Sequence, residues 1–153
     1  MNKKTLLLLG LVAVILSVFG CSGGGPTTQM ITGTIVFEGK PVDDAVVGLS
    51  PKGGEGLPAY GRTNANGEFK MTSVQGGRDN AGAVEGDYIV TITKIVPSRE
   101  PTAEEIRNLQ EREIPYNIPD KNLLPEKYAN VSTSDLSAKV VQGKNSFRFE
   151  LVP

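Results

Sequence analysis

Asp87-Tyr88-Ile89-Val90-Thr91-Ile92-Thr93-Lys94 is the stretch that decides the fold. Tyr88, Val90 and Ile92 fall on one face of an extended chain and Ile89, Thr91 and Thr93 on the other, the period of two that marks a strand. Its second face is mixed rather than wholly polar, which predicts a central position in a sheet. The same alternation spreads outward from it. Upstream, Met30 to Glu38 sets Ile31, Ile35 and Phe37 against Thr32 and Thr34, with Gly33 leaving a gap on the apolar side. After a turn at Glu38-Gly39-Lys40-Pro41, Ala45, Val47 and Leu49 repeat the pattern up to Pro51. Ala59 to Thr63 and Phe69 to Thr72 flank Asn64-Ala65-Asn66-Gly67-Glu68, where Asn66-Gly67 suits the positive φ angles of a hairpin turn. Downstream, Leu136 to Val141 and Ser146 to Val152 are joined by Gln142-Gly143-Lys144-Asn145, with Phe147, Phe149 and Leu151 on one face.

Two stretches read as loops, Lys52 to Pro58 and the Gly-rich Gln75 to Gly86. Residues 95–128 break the alternation with Pro97, Pro101, Pro115, Pro119 and Pro125. Within them Thr102-Ala103-Glu104-Glu105 has the form of a capping box, and Ile106 with Leu109 gives one apolar stripe on a short helix from Ala103 to about Arg112. The helix belongs to an excursion over the sheets, inserted before the last two strands. The result is an all-β chain of seven strands, the number expected of a Greek-key sandwich of roughly 100 residues.

The amino-terminal segment reads as an address. Met1 to Gly20 carries two lysines, then an apolar run from Leu6 to Phe19. Crossing a bilayer core takes about 20 residues, so this run matches an export signal better than a span. It ends Val18-Phe19-Gly20-Cys21, which resembles the lipobox of bacterial lipoproteins; Gly20 and Cys21 fit its pattern, and Val18 and Phe19 depart from the commonest residues. That resemblance implies cleavage before Cys21 and a diacylglycerol on its thiol. Cys21 is the only cysteine, so no disulfide partner explains it. Two or more acyl chains anchor a protein firmly to a membrane. By the family's sorting tendency, Ser22 favours the outer membrane of the envelope over the inner one. Residues 21–29 continue as a flexible Gly-rich tether with an r.m.s. span of about 15 Å, which holds residues 30–153 close to the lipid.

Within residues 30–153 a second likeness emerges. Ile31-Thr-Gly-Thr-Ile35, Gly39-Lys-Pro-Val42 with Ala45 and Val47, Thr63-Asn-Ala-Asn-Gly67-Glu-Phe69, and Gly86-Asp-Tyr88-Ile-Val90 resemble the carboxypeptidase regulatory-like, or transthyretin-like (prealbumin-like), domain. Pro125-Glu-Lys-Tyr128, Thr133-Ser134-Asp-Leu136 and Gly143-Lys-Asn145-Ser-Phe147 are similar to the tail of small bacterial lipoproteins that carry this domain alone. The resemblance implies fold and envelope location. It implies no particular activity.

Composition narrows the chemistry. With no His, the chain lacks the Ser-His-Asp and Cys-His systems and any His-ligated zinc. The related hydroxyisourate hydrolase uses histidines and a C-terminal Tyr-Arg-Gly-Ser, whereas this sequence ends Glu150-Leu-Val-Pro153. A formal charge of -1 gives nucleic acid no purchase. Asn64, Asn66 and Glu68 could suggest a calcium loop, but Arg62 stands where the first carboxylate would be, so a turn is expected and no metal or other cofactor. The adjacent pairs Asp43-Asp44 and Glu104-Glu105 diverge on any strand or helix, so they read as solvated surface. A Lys-Asn cross-link of the Cna B type would need a Lys between Ile31 and Phe37, where none occurs. No helix start or Gly-Lys-Ser/Thr follows the Gly-rich loop, so it is no phosphate cradle.

The expected function is a lipid-anchored, non-catalytic module of the cell envelope, with a membrane partner through Cys21 and an envelope protein or polysaccharide as ligand. The alternative is a periplasmic carbohydrate-binding domain. Phe37, Phe69, Phe147 and Phe149 belong to core faces, leaving Tyr60, Tyr116 and Tyr128 as rings able to stack on a sugar. An enzyme built on carboxylates or on Ser and Lys would need two such groups in one pocket.

Overall fold

The computed structural model describes residues 26–54, 56–115 and 117–153. The export segment 1–20, the lipobox Val18, Phe19 and Gly20, the lipidation residue Cys21, and Tyr116 therefore lie outside the described residues. The described residues form β1 (Thr28–Gln29), β2 (Ile31–Phe37), β3 (Lys40–Pro41), β4 (Val46–Pro51), β5 (Ala59–Arg62), β6 (Glu68–Lys70) and β7 (Thr72–Gln75). They continue with β8 (Arg78–Ala81), β9 (Ala83–Val84), β10 (Gly86–Thr93), β11 (Ile95–Pro97), the helix α1 (Ala103–Arg112), β12 (Asp120–Asn122), β13 (Ser137–Val140) and β14 (Asn145–Leu151). The fold is all-β and sandwich-like, with one short helix.

One sheet runs β13-β10-β4-β5-β7-β8 with every neighbour antiparallel. The other is built on β2, which pairs in parallel with β14 on one side and antiparallel with β6 and β3 on the other. Alternation explains why the two sheets bury each other. Ile31, Ile35, Phe69, Phe149 and Leu151 from the β2 sheet share one core with Val47, Leu49, Ala59, Tyr88, Val90, Ile92, Ala138 and Val140 from the larger sheet. Burying each large apolar side chain stabilises by about 1.5–3 kcal/mol. The strand that decided the reading, β10, lies between β13 and β4, as its mixed second face predicts.

The gap at Gly33 is filled. A Cβ there would collide with the Phe69 ring and with the Phe147 carbonyl, so glycine lets the aromatic ring lie against the strand. Phe69, Phe149 and Phe147 then stack in sequence, at centroid separations of 6.4 and 6.0 Å. Phe37 and Phe147 pack against the core but remain half-buried, less enclosed than their strand positions predict.

Several local expectations are corrected. The stretch from Gln75 to Gly86 is not a loop: Gly76 and Gly77, with φ of 57° and 75°, make a two-residue turn between β7 and β8, and β9 follows. Glycine pairs accept the mirror-image turn whose twist matches two antiparallel strands. The turn at Asn64–Glu68 is a longer loop than the expected two-residue type; the Gly67 N–H donates to the Asn64 carbonyl at 2.9 Å and Gly67 alone takes positive φ. Its two arms do not pair as a hairpin, because β5 joins the larger sheet while β6 joins β2. The tether is shorter than predicted, since Thr28 and Gln29 pair with Val84 and Ala83. Gln29 also accepts the Gly143 N–H at 2.8 Å and donates to Glu85 at 3.1 Å. Counting the short segments, the described residues hold fourteen strands rather than seven, although each of the seven predicted stretches overlaps at least one, and Phe69 to Thr72 spans the end of β6 and the start of β7.

The excursion 95–128 is built in two ways. The helix occupies Ala103–Arg112 as predicted, with both arms of its capping box formed between Thr102 and Glu105. None of its residues is buried. Further on, β11 pairs with β12, and Leu124 and Tyr128 enter the core.

Candidate functional site

Of the two described tyrosines among the three that could stack on a sugar, the structure leaves one in the open. Tyr60 is 57% exposed on β5, where it lies opposite Gly48 and Thr72 on the outer face of the larger sheet. Thr91 continues the same row beyond Gly48. The ring stands on a floor of small residues. Tyr128 corrects the expectation: it is 2% exposed, and its hydroxyl accepts the Val152 N–H at 3.1 Å and donates to the Val152 carbonyl at 3.3 Å. It closes the end of β14 and cannot meet a ligand. Tyr116 is outside the described residues.

Sequence reasoning missed a groove of about 550 Å³ beside β2. Thr32 and Thr34 point outward from β2, because their neighbours Ile31 and Ile35 point into the core. The parallel register sets Ser146 beside Thr32, and β6 sets Lys70 on the other side of Thr32 and Glu68 beside Thr34. Arg62 from the end of β5 and Asn64 from the following turn complete the wall. A polar face on β2 was legible in Thr32 and Thr34. Which strands flank it was not, because both pairings join segments distant in sequence.

The charged groups here are mostly engaged. Arg62 donates to Asp44 at 2.6 Å, and Asn64 donates to Glu68 at 3.0 Å while its own carbonyl oxygen accepts the N–H groups of Asn66 and Glu68. Asn64 and Glu68 thus hold the turn together. Lys70 forms no ion pair among the described residues. Ser146 and Lys70 border one groove, but two strand spacings of about 4.8 Å lie between their backbones, and no hydrogen bond joins them among the described residues. An activated serine needs its base within hydrogen-bond reach. The groove as built offers hydroxyls, the Lys70 ammonium, the Arg62 guanidinium engaged by Asp44 and the Glu68 carboxylate engaged by Asn64, a mixed polar surface.

The other carboxylates are paired along separate edges. Asp43 bonds Lys94, whose ammonium holds the carboxyl below the usual carboxylate range. Glu105 is drawn down to about 2 by the Arg99 guanidinium, at 2.8 Å, and then by the Thr102 N–H. Burial pushes the Tyr88 hydroxyl up; it donates to the Val84 carbonyl at 2.8 Å. No group of three or more His, Cys, Asp or Glu among the described residues could hold a metal ion. No described helix is long and apolar enough to cross a membrane. Comparison with protein-family models, with curated proteins and with solved structures found no match.

Proposed function

We propose that the protein is a lipid-anchored, non-catalytic module of a bacterial cell envelope, whose body is a transthyretin-like Greek-key sandwich of the carboxypeptidase regulatory-like kind. The observation that carries this reading is the placement of the sole cysteine, Cys21, at the end of a short apolar export signal. Six residues, 22–27, separate it from β1, a reach of about 20 Å when extended. The pole of the sandwich that bears β1 and the 141–145 turn is therefore the one held near the lipid. Two sheets that share one core, with the chain crossing between them from β3 to β4, from β5 to β6 and from β13 to β14, support the Greek-key assignment. Incorporation of labelled palmitate, lost in Cys21→Ser, tests the anchor. Unchanged labelling in that variant overturns it.

A second reading is favoured by one observation, the exposed ring of Tyr60 on its flat floor of Gly48, Thr72 and Thr91. In it the anchored domain holds an envelope polysaccharide by stacking, with hydroxyl side chains beside the ring. A glycan array probed with the protein and with Tyr60→Ala tests it. Binding that survives Tyr60→Ala, or no signal from either, dismisses the ring as the contact.

A further inference from the structure

We propose that β14 is a self-complementary edge, through which two copies of this chain join their β2 sheets into one continuous sheet about a twofold axis. The edges of the larger sheet are short: β8 and β13 have four residues each, and Lys139 sits on β13. Short strands and edge lysines are the usual means of keeping sheets apart. By contrast β14 has seven residues and, among the described residues, pairs only on its β2 side.

The backbone fixes which groups face outward. The Asn145 N–H donates to the Met30 carbonyl, so residue 145 and its odd-numbered successors bond toward β2. Val152 bonds away from β2, to the Tyr128 hydroxyl. Alternation then leaves the N–H and C=O groups of Ser146, Arg148 and Glu150 pointing outward, with no backbone partner among the described residues. Tyr128 ends the available edge at Leu151.

Charge then selects the register. In an antiparallel pair centred on Phe149, Arg148 lies opposite the partner's Glu150 and Glu150 opposite the partner's Arg148, each pair exchanging two backbone hydrogen bonds. Phe149 meets its own copy, and the half-buried Phe147 meets the partner's Leu151. Sliding by two residues in either direction sets Arg148 or Glu150 against its own copy, which like-charge repulsion opposes. A slip that mixes odd with even residues would need backbone groups already used by β2. In the single chain Arg148 and Glu150 bond each other at 2.9 Å on the exposed outer face, so both are available.

The proposal does not depend on lipidation. Sedimentation velocity of the full chain, in detergent with micelles in large excess over protein, is expected to resolve a dimer. Arg148→Glu and Glu150→Arg should each weaken it about tenfold, and the double swap Arg148→Glu/Glu150→Arg should restore it. A second probe is Arg148→Pro, which removes an outward N–H and leaves the β2 ladder intact; it is expected to be monomeric with an unchanged far-UV spectrum. A wild-type chain that stays monomeric overturns the proposal. So does a single reversal that dimerises as well as the swap, or a dimer that persists in Arg148→Pro.

Discussion

The excursion from Ile95 to Tyr128 divides into two halves that follow different rules. Its first half holds α1 by local bonds: the Thr102 capping box, the Arg99–Glu105 pair, and the left-handed Glu113 that caps its end. Ile106 and Leu109 stay 41% and 42% exposed. The second half has little regular structure beyond β12, yet Leu124 and Tyr128 sit in the sandwich core at 5% and 2% exposure. One half is ordered without being packed, the other packed without being regular. Tertiary burial, and not secondary structure, therefore decides which half the fold depends on.

This contrast is open to direct measurement. Tyr128→Ala should cost about 3–5 kcal/mol in chemical denaturation, since it removes a large buried ring and leaves the end of β14 uncapped; a loss below about 1 kcal/mol would mean that the second half is only draped on the core. Tyr128→Phe separates the two contributions. It keeps the ring but strips the Val152 N–H and C=O of their partner, with an expected loss of about 1–3 kcal/mol. Thr102→Ala should reduce helicity by far-UV circular dichroism, weakening the helix by about 1 kcal/mol while leaving the global unfolding midpoint in place. A shifted midpoint would show that α1 is coupled to the sandwich after all.

The smallest effect is expected with pH. Glu105 is held near 2 against an ordinary value of 4.5. A depressed carboxyl stabilises the folded form above its unfolded pKa and loses that contribution as pH falls through the folded one. The cap of α1 should therefore be intact above about pH 4.5 and weaken toward pH 2, with the core unaffected in that step. Carboxyl chemical shifts of Glu105 followed by NMR provide the check, and a midpoint near 4.5 would remove the Arg99 contact.

The strands on either side of the excursion were readable because each has a face that alternates within itself. Tyr88, Val90 and Ile92 identify β10 without reference to any other segment. The capping box and Ile106 with Leu109 mark the start of α1 and its approximate end, since helix ends are also local. Non-local features were hidden. Tyr128 looks like any surface tyrosine in a Pro-rich stretch, and only the arrival of β14 beside it supplies the Val152 groups that bury its hydroxyl. The groove failed for the same reason: Thr32 and Thr34 were visible, but Ser146, Lys70 and Arg62 come from three other segments. The Gly76-Gly77 turn shows in the sequence only together with its flanks, Thr72–Gln75 and Arg78–Ala81, since a run rich in glycine otherwise resembles a loop.

The parallel pairing of β2 with β14 also sets an order of events. Residues 31 and 145 are register partners across 114 positions of chain. A polypeptide that leaves a ribosome or a translocon amino end first exposes β2 early and can give it β3 and β6, yet one flank of that strand waits for residues 145–151 to emerge. Closure of the barrier between apolar interior and water is thus deferred until β14 has been made. A nascent chain stalled before Asn145 would carry Ile31 and Ile35 on an unfinished sheet, open to chaperones or to proteases.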